Sequence, residues 1–183
     1  MGQKELLIQV VHVLEGAGVP FMLTGSLASS LQGEPRSTHD IDLVVDLAPA
    51  AIDRLVDAFP PPRFHLDRAG VERAVRTRGL VNLLDVEGGD KVDLWMLTED
   101  PFDQERFARR ETVPVFGLAM PVSTPEDTIL QKLVWSRLSG GSERQRMDAR
   151  RVLEVQGPRL DMKYLREWAS RLGIAADFDS LLS

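Results

Sequence analysis

The segments Phe21-Met22-Leu23-Thr24-Gly25-Ser26 and Asp40-Ile41-Asp42-Leu43-Val44-Val45 decide the fold. The apolar run Phe21 to Leu23 predicts a short buried strand, and Ser26 to Leu31 predicts one or two helical turns after it. Gly33 to His39 is polar and reads as a loop, and Ile41 to Val45 reads as a second strand. Asp40 and Asp42 lie two apart where that strand begins. Strand side chains alternate between faces, so both carboxylates point to one side while Ile41 points into the core. Carboxylates held this close repel each other, and a divalent cation between them relieves the repulsion. Hard oxygen ligands of this type suit magnesium, with manganese as the alternative.

An Asp-x-Asp pair by itself is a weak signal, because strand edges commonly carry exposed aspartates. Thr24, Gly25 and Ser26 strengthen it. They sit where a strand gives way to a helix, a junction whose free backbone N–H groups meet phosphate, and Ser26 adds a hydroxyl. Taken alone, Gly-Ser after a strand is more simply a turn with a helix cap.

Leu80 to Val86 and Lys91 to Leu97 both read as strands, joined by a turn at Glu87, Gly88, Gly89 and Asp90. If Val86 faces Lys91, then Leu84 faces Asp93 and Asp85 faces Val92, which puts Asp85 and Asp93 on opposite sides. Asp90 falls in the turn. Asp93, between Val92 and Leu94, would be a costly unpaired carboxylate, whereas Asp85 beside the turn is expected to be solvated. Asp93 is therefore the expected third carboxylate.

Around these segments, Glu5 to Leu14 has helical spacing and is stopped by Gly16 and Gly18. Pro49 opens a helix expected to run through Phe59, ended by Pro60 to Pro62, and a short helix follows near Val71 to Val75. Asp103 to Arg110 reads as helix, and Val113 to Val115 with Leu118 to Val122 as a second hairpin about Phe116 and Gly117. Thr124 is a predicted N-cap, with Pro125, Glu126 and Asp127 in the first turn of a helix reaching about Leu138. Two further helices are expected, Glu143 to Val155 and Met162 to Leu172, separated by Gly157 and Pro158. The class is α+β: a mixed sheet with flanking helices over residues 1–123, and a C-terminal helical region over 124–183 packed on it.

A chain of 183 residues that is 43% apolar buries one good core. With no cysteine, disulfides, thiolate zinc sites and a cysteine nucleophile are excluded. A net charge of -6 argues against a surface built mainly for nucleic acid, although arginines gather between Arg137 and Arg151. No apolar run is long enough to span a membrane and the start Met-Gly-Gln-Lys-Glu lacks a signal layout, so a cytoplasmic protein is expected. His12, His39 and His65 are scattered and stand outside the expected catalytic set, and Trp95, Trp135 and Trp168 read as core packing.

Gly25-Ser26, Gly33, Arg36, Thr38 and Asp40-Ile41-Asp42-Leu43 together resemble the signature of the polymerase-beta-like nucleotidyltransferase superfamily. The likeness is strongest to small bacterial members related to abortive-infection toxins of the AbiEii kind. Lys91 to Leu97 resembles the strand that carries the third carboxylate, and Lys132 and Asp148 resemble the family's downstream lysine and aspartate. The resemblance implies a nucleotidyltransferase fold and transfer of a nucleoside monophosphate from a triphosphate to an acceptor, with pyrophosphate leaving. Asp40, Asp42 and Asp93 would be catalytic and hold the metal. Gly25 and Ser26 would bind phosphate, Arg36 and Thr38 would be further nucleotide contacts, and Lys132 would neutralise the triphosphate. Read from the residues alone, Arg36 equally braces its loop, Thr38 fixes a turn and Lys132 is solvated. Asp148, among Arg144, Arg146, Arg150 and Arg151, equally makes a salt bridge between helices.

The acceptor is expected to be a small molecule such as an antibiotic hydroxyl, a protein side chain or an RNA end, and the acidic balance favours the first two. The competing reading is a nucleotide-binding or interaction protein of the same fold with little turnover, such as one half of a toxin-antitoxin pair. Three retained aspartates speak against it.

Overall fold

Seven strands can be followed among the described residues: β1 (Phe21–Thr24), β2 (Asp40–Val45), β3 (Phe64–His65), β4 (Leu80–Asp85), β5 (Lys91–Met96), β6 (Glu111–Val115) and β7 (Leu118–Val122). The computed structural model describes residues 2–38 and 40–182. His39 therefore lies outside the described residues. The strands form one mixed sheet in the order β3-β4-β5-β2-β1-β7-β6. At its centre β2 runs parallel to β5 and antiparallel to β1.

Alternation along the central strands gives the sheet two different faces. Ile41, Leu43 and Val45 of β2 and Val92, Leu94 and Met96 of β5 are buried on one face. They pack with Leu6, Leu7, Val10, Val11 and Leu14 of α1 (Gln3–Gly16) and with Val71 and Ala74 of α4 (Arg68–Thr77). Asp40, Asp42 and Val44, with Lys91, Asp93 and Trp95, alternate onto the other face. There α5 (Pro101–Arg109) supplies Phe107 to a small apolar cluster with Met22, Val44 and Leu97.

The C-terminal helices are α6 (Pro125–Leu138), α7 (Glu143–Gln156), α8 (Met162–Arg171) and α9 (Ala175–Leu182). They share a second core that includes Ile129, Leu133, Val152, Leu165 and Phe178, and Phe102 of α5 inserts into it. Thr124 caps α6, its hydroxyl oxygen accepting from the Asp127 N–H at 3.3 Å. The buried Asp127 carboxylate accepts from the Tyr164 hydroxyl at 2.6 Å, and Arg109 stacks on the Tyr164 ring at 3.9 Å. That network ties α5, α6 and α8 together.

Several expectations are corrected. The segment opened by Pro49 begins as a 3-10 turn, and the α-helix proper, α3 (Ile52–Asp57), stops before Phe59. β3 and α9 were not expected; a two-residue strand is too short to show alternation. In the β4–β5 hairpin Leu84, not Val86, faces Lys91, and Asn82, not Leu84, faces Asp93. The cause is local: the Val86 N–H donates to the Arg63 carbonyl and is drawn toward β3. A shift of two residues preserves the faces, so Asp85 and Asp93 still lie on opposite sides. Asp85 is nevertheless not solvated. It is fully buried opposite Phe64, with the Arg63 Nε 3.7 Å from its Oδ1, because β3 closes that edge of the sheet. Among the described residues no helix is long and apolar enough to cross a membrane.

Candidate active site

The parallel register of β2 and β5 sets Asp42 directly beside Asp93 and Asp40 directly beside Lys91. On the other flank Thr24 of β1 pairs with Asp42. The chain then turns into α2 (Gly25–Gln32) through Gly25, whose φ is +69°. A Cβ at Gly25 would stand 2.0 Å from the Asp42 Oδ2. Glycine is thus required twice over, by the left-handed backbone and by the carboxylate pressed against it.

Burial pushes the Asp42 carboxyl above its ordinary pKa. The charges of Asp93 and Asp40 push the same way, while the Trp95 Nε1–H, donating to Oδ1 at 3.3 Å, and the charge of Lys132 oppose them. Asp93 accepts from the Asn82 side-chain amide and pairs with the Lys91 ammonium at 2.9 Å, and that same ammonium lies 3.4 Å from Asp40. The hydrogen bond to Asp93 raises the pKa of Lys91, so it is charged at neutral pH. Lys91 and Asn82 escaped the sequence reading. Lys91 was findable, since it shares the alternation of Asp93, whereas Asn82 required the correct hairpin register.

A second cluster adjoins the carboxylates. The Ser26 hydroxyl oxygen accepts from Arg36 Nη2 at 2.7 Å and from Lys132 Nζ at 3.2 Å. Asp148 accepts from Arg36 at 2.8 and 2.6 Å and from Lys132 at 2.9 Å. Lys132, solvated if judged from its helix alone, is 1% exposed, and burial lowers its pKa against the pull of Asp148. Burial works to raise the Asp148 pKa, but the bonds from Arg36 and Lys132 outweigh it and hold the carboxyl below the usual range. The salt bridge anticipated for Asp148 therefore forms with Arg36 of the loop and Lys132 of α6, not with the neighbouring arginines of α7. Thr38 stays on its loop, donating to the Asp40 carbonyl at 3.3 Å.

A cavity of about 320 Å³ opens over these groups, lined by Ser26, Asp40, Asp42, Trp95, Trp135 and Arg144 among others. Trp95 and Trp135 are half-buried walls of the cleft; Trp168 is packed in the second core and Trp95 also packs against the Phe107 cluster, as expected, whereas Trp135 belongs to neither. A larger cavity of about 660 Å³, between Asp46, Ile52, Glu72 and Arg76, lies past the far end of β2 and holds none of the expected site residues. Among the described residues no three acidic or histidine side chains are gathered around one point for an ion; the Lys91 ammonium supplies the positive charge between Asp40 and Asp93. The three carboxylates offer hard oxygen donors of the kind a divalent cation takes, and the charges of Asp93 and Asp40 add to burial in disfavouring the ionised Asp42.

No family model and no curated protein matches the sequence. Solved structures do. The solution structure of the antibiotic-resistance factor ANT(2'')-Ia superposes with a TM-score of 0.63 at 12% identity, over 99% of this chain and 98% of that one. The lincomycin-bound lincosamide antibiotic adenylyltransferase LnuA gives 0.55 at 14% identity, over 84% and 97%. An antigenic nucleotidyltransferase-like protein from Paracoccidioides brasiliensis gives 0.52 at 19% identity, over 96% and 90%. At such identities the likeness speaks for the fold alone: the chain has a nucleotidyltransferase-like fold.

Proposed function

We propose that this chain is a metal-dependent nucleotidyltransferase that moves a nucleoside monophosphate from a nucleoside triphosphate to an acceptor hydroxyl, with pyrophosphate leaving. The observation that supports it most is the pairing of Asp42 with Asp93 beside the cluster that joins Arg36 and Lys132 to Ser26, with Asp40, Asp42 and Ser26 lining one cavity. Asp40, Asp42 and Asp93 would hold Mg2+, or Mn2+, which when bound supplies positive charge to the phosphoryl oxygens. Ser26 and the first N–H groups of α2 would donate to phosphate. Lys132 and Arg36 would oppose the charge of the triphosphate, Lys132 as a point charge and Arg36 through its planar fork. Thr38, two residues before Asp40 and hydrogen-bonded to its carbonyl, would steady the loop over the nucleotide. Asp93 would accept the proton of the attacking hydroxyl.

A small-molecule hydroxyl is the acceptor we favour over a protein side chain or an RNA end. The cavity is small and edged by aspartates, which suits a compact cationic acceptor, and two of the similar structures are named for antibiotics. The narrower relation to AbiEii-type toxins, and a toxin-antitoxin role with little turnover, rest on the sequence motif alone.

Calorimetric titration with each of the four ribonucleoside triphosphates and Mg2+ tests this reading. Wild type is expected to bind at least one of them, and Asp42→Asn, shown to be folded by its melting curve, to bind it at least about tenfold more weakly. Absence of triphosphate binding in wild type would refute the proposal.

The ammonium between Asp40 and Asp93 yields a second expectation. A cation entering there must displace Lys91, so Lys91→Met is expected to bind Mn2+ more tightly than wild type in a metal titration. The same variant is expected to melt lower without metal, because Asp40 and Asp93 then lose the ammonium between them. Unchanged metal affinity would mean that Lys91 does not compete for the site.

A further inference from the structure

Behind the carboxylate cavity lies a second chamber of about 250 Å³, and Trp95 and Trp135 are walls of both. Their rings stand 6.3 Å apart between centroids and are tilted by 35°. Clefts that take a whole drug-sized molecule run to about 300–1,000 Å³, so this chamber suits one flat ring system and not a complete nucleotide. Its far end is closed by polar groups that already satisfy one another: Thr98 donates to Asp103, Arg106 donates to Asp103 at 2.9 Å, and Arg106 reaches Thr24 at 3.5 Å. Gln131 is the exception. It is 9% exposed, lines the chamber from α6, and its side-chain amide makes no hydrogen bond to any described residue. Its amide nitrogen and oxygen are thus open to a molecule that enters the chamber.

We infer that this chamber receives the nucleobase of the triphosphate, stacked along the Trp95–Trp135 wall, with the Gln131 amide paired to the edge of the base. An aromatic wall supplies a surface on which any base stacks. A glutamine amide offers one donor and one acceptor side by side, the pattern with which it pairs bidentately to adenine. The chamber adjoins the carboxylate cavity, the two indoles lining both, so it is the neighbouring space for the base of a triphosphate whose phosphates lie at Ser26 and Lys132. The inference rests on the nucleotidyltransferase reading for the position of the phosphates.

Two ligands separate it from that reading: ATP, and inorganic tripolyphosphate, which carries the phosphates without a base. With Mg2+ present, wild type is expected to bind both, ATP more tightly, and ATP alone to quench the tryptophan fluorescence. Gln131→Leu and Trp135→Ala are each expected to weaken ATP at least about tenfold and to leave tripolyphosphate unchanged, and Trp135→Phe to lose most of the quench. If both variants bind ATP as wild type does, the base lies elsewhere and the inference fails while the function stands. Equal weakening of ATP and tripolyphosphate would make the two residues merely structural, which also overturns it. Binding of neither ligand by wild type sinks the function and the inference together.

Discussion

Asp148→Ala is expected to destabilise the fold by about 3–5 kcal/mol, the cost of leaving a buried charge without its partner. Two cations depend on this carboxylate, and they differ in what they can do once it is gone. Arg36 is partly exposed and can turn to water, whereas Lys132 is 1% exposed and cannot. For a chain of this size the loss corresponds to a fall in melting temperature of roughly 6–20 °C, to be read by calorimetry. Adding Lys132→Met to Asp148→Ala should restore part of it, because the stranded charge is then removed. A melting temperature within a degree or two of wild type would show that the cluster is solvated and not a buried brace. The same cluster carries a pH dependence. The folded Asp148 pKa lies below its unfolded value of about 3.9, so its contribution is full above that value and is lost as pH falls through the folded one.

Gly25→Ala should show its largest effect on function. A methyl group there meets the Asp42 Oδ2 at 2.0 Å and the Asp42 Cγ at 2.6 Å, far inside contact distance, so either the carboxylate or the start of α2 must move. The left-handed backbone adds about 1–2 kcal/mol of strain for any residue with a Cβ. Displacing a catalytic group by an ångström costs on the order of a hundredfold in rate. Gly25→Ala is therefore expected to lose at least about that factor in triphosphate turnover, with triphosphate affinity falling as well. Near-wild-type turnover would mean that Asp42 is free to move without penalty, and that its closeness to the backbone has no part in the chemistry.

Most of the architecture was legible because it is written in periodicity and punctuation. Alternation gave β2 and β5 together with the shared face of Asp40, Asp42 and Asp93, and Thr124-Pro125 gave the start of α6. Elements with no period of their own were invisible, as β3 shows, and missing it led to the mistaken expectation of a solvated Asp85. Lys132 illustrates a different limit. Its surroundings come from Ser26 on α2 and Asp148 on α7, segments far apart in the chain, so its own helix says nothing of its burial. Large aromatics usually go to the core, and Trp95 does pack against the Phe107 cluster; that it and Trp135 also line a cleft is set by the gap between the sheet and α6, a tertiary feature. Lys91 carried a readable signal, two positions before Asp93 on one strand face, although its place between two carboxylates depends on the pairing of β2 with β5.

The central claim is that Asp42 and Asp93 form the floor of a site for a divalent cation and a triphosphate. Diffraction from crystals grown with Mn2+ and a non-hydrolysable ATP analogue tests it most directly, because anomalous scattering locates manganese without reference to any assumed chemistry. The account predicts a manganese peak within bonding distance of both the Asp42 and Asp93 carboxylates, with phosphate density at Ser26. Manganese bound only at other acidic surfaces, with Lys91 still paired to Asp40 and Asp93, would contradict it.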